Sequence, residues 1–348
     1  MKRYHLTILA ALAACALGLA GCEATIHQYP AEEQAMEDFV VRLHADRTPP
    51  PFYKEIAYDP DGRRTETELE AEASPAYLPD DRLALRFVVE VRDNTLGGDE
   101  AVVARRELTV DNDALPPQAE VHFRLPAGGD YTAVAWADYV PEANPADWHY
   151  DTSRLDFIEV NTETVMQELH HKNSATGLAR FGMTRQTAGA ADAVGYMTRP
   201  AGRLRLYTDD LDEFLQAGGN IEEVQVVIRY KQFVSVAYDA LGQEPCRWVS
   251  TRETRTHPSI VNGTGNVCLA YDYILVDSDG ETHVMADFYF LDAEGNELSR
   301  TANVDIPLRR NRETVIRSRF LTRNLGDGGL GVDEGFDDEY VIVVGSSR

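Results

Sequence analysis

Residues 121–138 read VHFRLPAGGDYTAVAWAD. Apolar and polar residues alternate on both sides of a Gly-Gly-Asp turn: Val121, Phe123 and Leu125 come before it, and Tyr131 opens the alternation after it. A period of two is typical of a β-strand with one buried face. Two such runs joined by a short glycine-containing turn predict an antiparallel hairpin.

The same alternation recurs along most of the chain. The further runs are Leu85–Val91, Leu204–Leu206, Val224–Ile228, Val284–Phe290 and Val304–Leu308. A helical period is clear only at Asp209–Ala217, which Gly218 and Gly219 terminate. Strands and helices do not alternate, so a parallel α/β fold is not expected. The pattern predicts an all-β fold of antiparallel sheets that form sandwiches or barrels.

Composition and strand spacing divide the chain into five parts. These are a signal peptide (1–21), a tether (22–36), two β-sandwich domains (37–198 and 199–323), and a Gly/Asp-rich linker with a terminal strand (324–348). The two domains meet after residues 184–195, which are rich in Ala, Gly and Thr. Phe39–Leu43 is the candidate first strand. Residues 45–81, rich in Pro and charge, are interpreted as a loop with a short helix at Thr65–Ala73.

The first 22 residues carry a targeting signal. Lys2 and Arg3 precede an apolar stretch, Leu6–Leu19, that is too short to span a bilayer comfortably and ends in Leu-Ala-Gly before Cys22. This ending resembles the lipobox of bacterial lipoproteins, in which the cysteine is acylated and becomes the mature N-terminus. The resemblance implies a protein held at the outer membrane through lipid on Cys22, and displayed at the cell surface.

The charge balance limits the partners. The 348 residues include 33 Lys+Arg and 58 Asp+Glu, a formal net charge of −25. Nucleic acid is therefore not expected as a partner, because a phosphate backbone requires clustered Lys and Arg.

Cys15 leaves with the signal peptide, so Cys246 and Cys268 remain for a disulfide. An oxidising compartment favours the bridge, and two buried free thiols are the alternative.

The C-terminus contains a second unusual segment. Tyr340, Val341, Ile342, Val343 and Val344 follow a Gly- and Asp-rich linker and are apolar on both faces, so this strand needs cover on both sides. It could be the last strand of its own domain. It could instead be a donor strand that completes the sheet of another subunit.

Four segments together resemble the fimbrillin superfamily of type V pili, and more narrowly its lipoprotein anchor members with two transthyretin-like sandwiches. The likeness spans roughly residues 83–322. Its segments are the lipobox at Cys22, Tyr131–Val140 with Tyr150-Asp151-Thr152 and Leu155, Arg199–Leu206, and Ile306–Ile316.

The resemblance implies a structural subunit that assembles with other fimbrial subunits, supports adhesion to a host or bacterial surface receptor, and has no catalytic residues, cofactor or metal. In the family's stalk members an Arg-specific protease removes the first strand. Arg47, just after the candidate strand at 39–43, is the corresponding candidate site here. An ordinary loop arginine is the alternative. The resemblance leaves the choice among stalk, anchor and tip open.

A cluster of aromatic residues supports a rival hypothesis. Trp136, Trp148 and Tyr150 lie close in sequence and could stack on sugar rings, as in a surface glycan-binding lipoprotein associated with nutrient uptake. Aromatic residues at strand spacing more often pack in a core, and that interpretation is preferred.

His149 between Asp147 and Asp151 could form a weak cation site, but a polar loop is preferred because no regular ligand spacing follows. The sequence contains no recognisable enzyme motif, so catalytic activity is not expected.

Overall fold

The computed structural model describes residues 35–45, 49–69, 83–111, 118–161, 175–182, 191–260 and 267–322. Within them the chain forms strands with one short α-helix, so the all-β prediction is confirmed. The elements are β1 (Met36–Ala45), β2 (Phe52–Tyr58), β3 (Arg64–Glu68), β4 (Leu83–Asp93), β5 (Val102–Asp111), β6 (Gln118–Pro126), β7 (Asp130–Pro141), β8 (Tyr150–Asp151), β9 (Ile158–Val160), β10 (Ala175–Gly182), β11 (Ala191–Met197), β12 (Ala201–Thr208), α1 (Leu211–Gln216), β13 (Gln225–Asp239), β14 (Glu244–Thr256), β15 (Ser259–Ile260), β16 (Val267–Leu275), β17 (Thr282–Leu291), β18 (Glu297–Leu308) and β19 (Glu313–Ser318).

The first sandwich packs the sheet β11-β1-β6 against the sheet β10-β7-β4-β5. In β6 buried and exposed residues alternate strictly, as the sequence predicts. Phe39 from β1, Phe87 from β4 and Phe123 from β6 lie in one core, each with at most 3% of its surface exposed. Apolar burial of this kind is the main stabilising contribution to such a sandwich.

The second sandwich is larger. Its two six-stranded sheets have the orders β15-β16-β12-β19-β2-β3 and β18-β17-β13-β9-β8, and β14 pairs with β13 outside the second path. Its core contains Leu206, Ile228, Phe288 and Phe320, all fully buried. Most neighbouring strands are antiparallel, but the pairs β1–β11, β12–β19 and β19–β2 are parallel.

Two pieces of the first half of the chain belong to the second sandwich. Strands β2 and β3 form a hairpin whose inner strand pairs with β19, and the short strands β8 and β9 extend the other sheet. The prediction of a loop over residues 45–81 is therefore wrong for residues 52–58 and 64–68, which form β2 and β3, and β3 also replaces the start of the helix predicted at Thr65–Ala73. Residues 46–48 and 70–81 lie outside the described part of the chain. The first domain is also not simply residues 37–198. Ile56 and Tyr58 are buried in the second core, which supplies the apolar partner that residues 45–81 lack.

A third apolar cluster joins the two sandwiches. Trp136 lies on the face of β7 that points away from the first core, and none of its surface is exposed. Its indole makes an edge-on contact with Tyr150, at 5.1 Å between ring centroids, and lies 6.0 Å from the Tyr238 ring of β13. Ile158 of β9 and Leu275 of β16 complete the contact. The interpretation of Trp136 as a packing residue is therefore the right one.

Replacing Trp136 with Ala should destabilise the protein by about 3–5 kcal/mol, because the change removes a large buried ring and leaves a cavity between the sandwiches. Urea unfolding followed by circular dichroism measures this cost. Trp248→Ala is the matched control: 48% of Trp248 is exposed, so its loss should cost far less. Equal costs for the two variants would contradict this account of the junction.

A charged cluster fastens the β2–β3 hairpin to the opposite sheet. Glu281, just before β17, accepts hydrogen bonds from Tyr53 and from Lys54, the latter at 2.6 Å. His283 lies between Glu281 Oε1, at 2.8 Å, and Asp305 Oδ1 of β18, at 2.9 Å. Burial alone would raise the pKa of Glu281, but the hydrogen bonds and the charge of Lys54 lower the pKa to about 2.

This cluster makes the second sandwich sensitive to acid. Because the folded-state pKa of Glu281 is depressed, its contribution to stability is present above the ordinary pKa of 4.5 and is lost as pH falls towards about 2. We expect the melting temperature to fall over that window, and Glu281→Gln to make the fall shallower. Glu294→Gln, in an exposed turn, is the control. An unchanged slope in Glu281→Gln would refute the assignment.

Candidate functional site

Strand β1 is the middle strand of its sheet. It pairs in parallel with β11 from Phe39 to Ala45 and antiparallel with β6 from Met36 to His44. Both edges of β1 are therefore hydrogen-bonded, whereas β6 and β11 do not pair with each other within the described sheet β11-β1-β6. The predicted first strand at residues 39–43 lies inside β1 and is confirmed.

The side chains of β1 divide between two faces. Phe39, Val41 and Leu43 point into the first core and are at most 1% exposed. On the other face Arg42 forms an ion pair with Glu120 of β6 at 3.1 Å, and the ring of His44 stacks on Tyr196 of β11 at 5.3 Å. This alternation fixes the register, because a slip of one residue would place Arg42 in the core.

Strand β1 fills the gap between β6 and β11. Without it, β6 and β11 would each expose a row of unpaired backbone groups beside an apolar groove lined by Val121, Phe123, Leu125 and Ala193. Such a groove can accept another extended strand through main-chain hydrogen bonds, with apolar pockets for alternate side chains.

Several predicted site residues lie outside the described residues. These are Cys22, Arg47 and the terminal strand Tyr340, Val341, Ile342, Val343 and Val344. Arg47 falls between the end of β1 at Ala45 and the start of β2 at Phe52, where the chain passes from the first sandwich to the second. In the described part of the chain, no helix is long and apolar enough to cross a membrane.

The aromatic residues of the rival hypothesis are placed in two ways. Trp136 and Tyr150 are buried, at 0% and 2% exposure, which confirms the preferred interpretation of both as packing residues and not the rival one of an open platform for a sugar. Trp148 is only half-buried, and its ring stacks on the buried His149 at 4.0 Å. Trp148 and Tyr150 line a cavity of about 400 Å³ together with Asp147, Asp151, Glu159, Val160 and Asn161.

A buried ion pair supports one wall of this cavity. Arg86 of β4 holds Asp138 of β7 through two hydrogen bonds of 2.9 and 2.8 Å and reaches Asp147 at 2.7 Å. Burial raises the pKa of Asp138 to about 6, and the Arg86 charge opposes this rise. Asp147 also accepts a hydrogen bond of 2.8 Å from the Thr152 hydroxyl. The loop before β8 is therefore fastened to the outer face of the first sandwich.

The polar side of β4 is buried, which the sequence did not indicate. Alternation places Arg86 and Glu90 opposite the core residues of β4, and both are at most 3% exposed because residues 147–160 cover them. Arg105 of β5 connects the two regions, since it bonds to Glu90 at 2.6 Å and to the Thr152 carbonyl at 2.7 Å. The sequence signal for this cover was the pair of apolar residues Val134 and Trp136 on the same side of the sheet, since apolar side chains there also need to be buried.

Cys246 and Cys268 are both free thiols in the structure, so the favoured prediction of a disulfide is wrong and the alternative of two free thiols holds. They lie in different sheets, Cys246 on β14 and Cys268 on β16. Burial raises the pKa of each thiol to about 11, so little reactive thiolate is present at neutral pH. Among the described residues, no group of three or more His, Cys, Asp and Glu side chains is arranged to hold a metal ion.

Solved structures with a similar arrangement include the fimbrial anchor protein Mfa2 from Porphyromonas gingivalis, at 13% identity and a TM-score of 0.38 over 76% of this chain and 82% of that chain. A candidate adhesin from Bacteroides ovatus matches at 11% identity and a TM-score of 0.42 over 82% and 89% of the two chains. A candidate polysaccharide-binding protein (DUF1812) from Bacteroides thetaiotaomicron matches at 10% identity and a TM-score of 0.39, over 75% of this chain and 79% of that chain.

No curated protein matches the chain. One family model does, over residues 54–345, and this range includes both sandwiches apart from strand β1 and the first two residues of β2. The chain therefore belongs to the family described as a family of unknown function, DUF6562.

Proposed function

We propose that this protein is a lipid-anchored surface subunit of a fimbrium, that it attaches the fibre to the outer membrane, and that it contacts other subunits by strand pairing. The observation that carries the proposal is β1, a strand with one apolar face that is hydrogen-bonded on both edges and begins 14 residues after Cys22. The proposal assigns no catalytic residue and no cofactor.

The position of β1 suits an anchor. If Cys22 carries the lipid, any pull on the fibre passes through the tether into β1 and must shear two rows of backbone hydrogen bonds at once. A strand held on both edges resists such a load better than an edge strand, which has only one row. The same groove would suit strand exchange in a stalk subunit, and an anchor keeps its own β1 in place.

The chain after β1 adds a second attachment. Residues 52–68 leave the first sandwich and become part of the sheet of the second, where Lys54 and Tyr53 contact Glu281. As long as Arg47 is uncut, the lipid-bearing segment is covalently continuous with both sandwiches. Cleavage there would leave β1 held to the body only by non-covalent contacts.

Lipidation at Cys22 gives a direct test of the anchoring role. In cells, Cys22→Ala should abolish incorporation of labelled palmitate and release the protein and its fimbriae into the medium, because the membrane attachment is lost. Cys15→Ala is the matched control and should behave as wild type, since Cys15 leaves with the signal peptide. Fimbriae that stay on cells carrying Cys22→Ala, or a pull-down that recovers no fimbrial subunit, would refute the proposal.

Cleavage at Arg47 tests the role of β1. Limited digestion of the full-length protein with an Arg-specific protease should cut after Arg47, and the piece that contains β1 should co-elute on size exclusion with the rest of the protein because β6 and β11 retain β1. Arg47→Ala should remove this cut and leave other fragments unchanged. Fragments that separate without denaturant would show that β1 is not held as described.

A further inference from the structure

We infer that the cavity beside Trp148 is a binding site for a neutral oligosaccharide, a role separate from the anchoring function proposed above. The cavity volume of about 400 Å³ falls within the roughly 300–1,000 Å³ typical of small-molecule sites. It lies where the loop before β8 meets the end of β9, on the side of the junction between the two sandwiches.

The cavity wall combines a flat ring with hydrogen-bond acceptors. The half-buried indole of Trp148 is kept rigid by stacking on His149, with 27° between the ring planes. The electron-rich face of such a ring attracts the C–H bonds on the apolar side of a sugar. Carboxylates of Asp147, Asp151 and Glu159 accept hydrogen bonds, and sugar hydroxyls supply the donors.

Two of these acidic residues lie side by side. Asp151 and Glu159 are directly opposite each other in the β8–β9 pair, so their side chains project from the same face of that pair. Hydrogen bonds from Ser153 lower the pKa of Asp151, so its carboxylate is ionised at neutral pH. Neighbouring hydroxyl groups of one sugar could therefore donate hydrogen bonds to both carboxylates.

The charge around the cavity favours a neutral ligand over a cation. Asp147 is paired with Arg86, and Glu159 is paired with Arg247 of β14. Most of the negative charge on the wall is therefore balanced within the protein. Hydrogen-bond acceptors with balanced charge, next to a flat apolar ring, match a polyhydroxylated ring better than an ammonium group.

The site is organised before any ligand arrives. The backbone N–H of Asn161 donates to the His149 carbonyl at 2.7 Å, and the Asn161 side chain donates to the Trp148 carbonyl at 3.0 Å. These bonds fix the end of β9 against the loop that carries Trp148. A rigid site pays less ordering cost when it binds.

The purified full-length protein should be tested on an array of defined neutral oligosaccharides, with chitosan oligomers as the cationic comparison. Calorimetry with the best neutral oligosaccharide then measures affinity. We expect Trp148→Ala to weaken binding by about tenfold. Tyr196→Ala, which removes an aromatic residue that is 76% exposed on a different sheet, should have no effect.

Asp151→Asn provides a second test, because Asp151 is exposed and its change should leave the fold intact even if Trp148→Ala does not fold. The Asp151→Asn change should weaken binding without lowering the melting temperature. Failure of every neutral oligosaccharide to bind, stronger binding of chitosan oligomers, or full affinity in Asp151→Asn would overturn the inference. Cys22→Ala should bind normally, so this result is independent of the anchoring proposal.

Discussion

The two rows of backbone hydrogen bonds on strand β1 are the interaction on which the rest of the structure depends. The sheet β11-β1-β6 has no direct link between β6 and β11, so ten residues at the start of the described fold complete one half of the first sandwich. Unpaired backbone groups beside an apolar groove are costly, and the fold meets that cost with its own strand. An assembly that exchanges strands would use the same free energy between subunits.

The two sandwiches are joined by shared elements and not by a simple linker. The chain enters the second sandwich at β2 and β3, returns to the first for β4 to β7, and contributes β8 and β9 to the second before β10. Trp136 fills the contact between them, and Arg86 with Asp138 fastens the covering loop. A load applied at one end would therefore reach both cores.

The sequence predicted the fold class and the first strand, because alternation is a local signal that needs no knowledge of the partner strand. The hairpin expected at 121–138 was wrong: both strands form, but β6 pairs with β1 and β7 pairs with β4 and β10, so they lie in different sheets. It missed β3, since Arg-Thr-Glu-Thr-Glu is polar on both faces and pairs only as an edge strand. Burial of Arg86 and Glu90 depends on a loop more than 50 residues away in the chain. Such long-range cover leaves no periodic signal.

Hydrogen–deuterium exchange of the backbone amides of residues 39–45 tests the central claim most directly. If β1 is held on both edges, these amides should exchange as slowly as those in the core strand β7 and far more slowly than those of the edge strand β3. Exchange of β1 as fast as β3, with β7 still protected, would show that β1 is not an integral strand and would contradict the account.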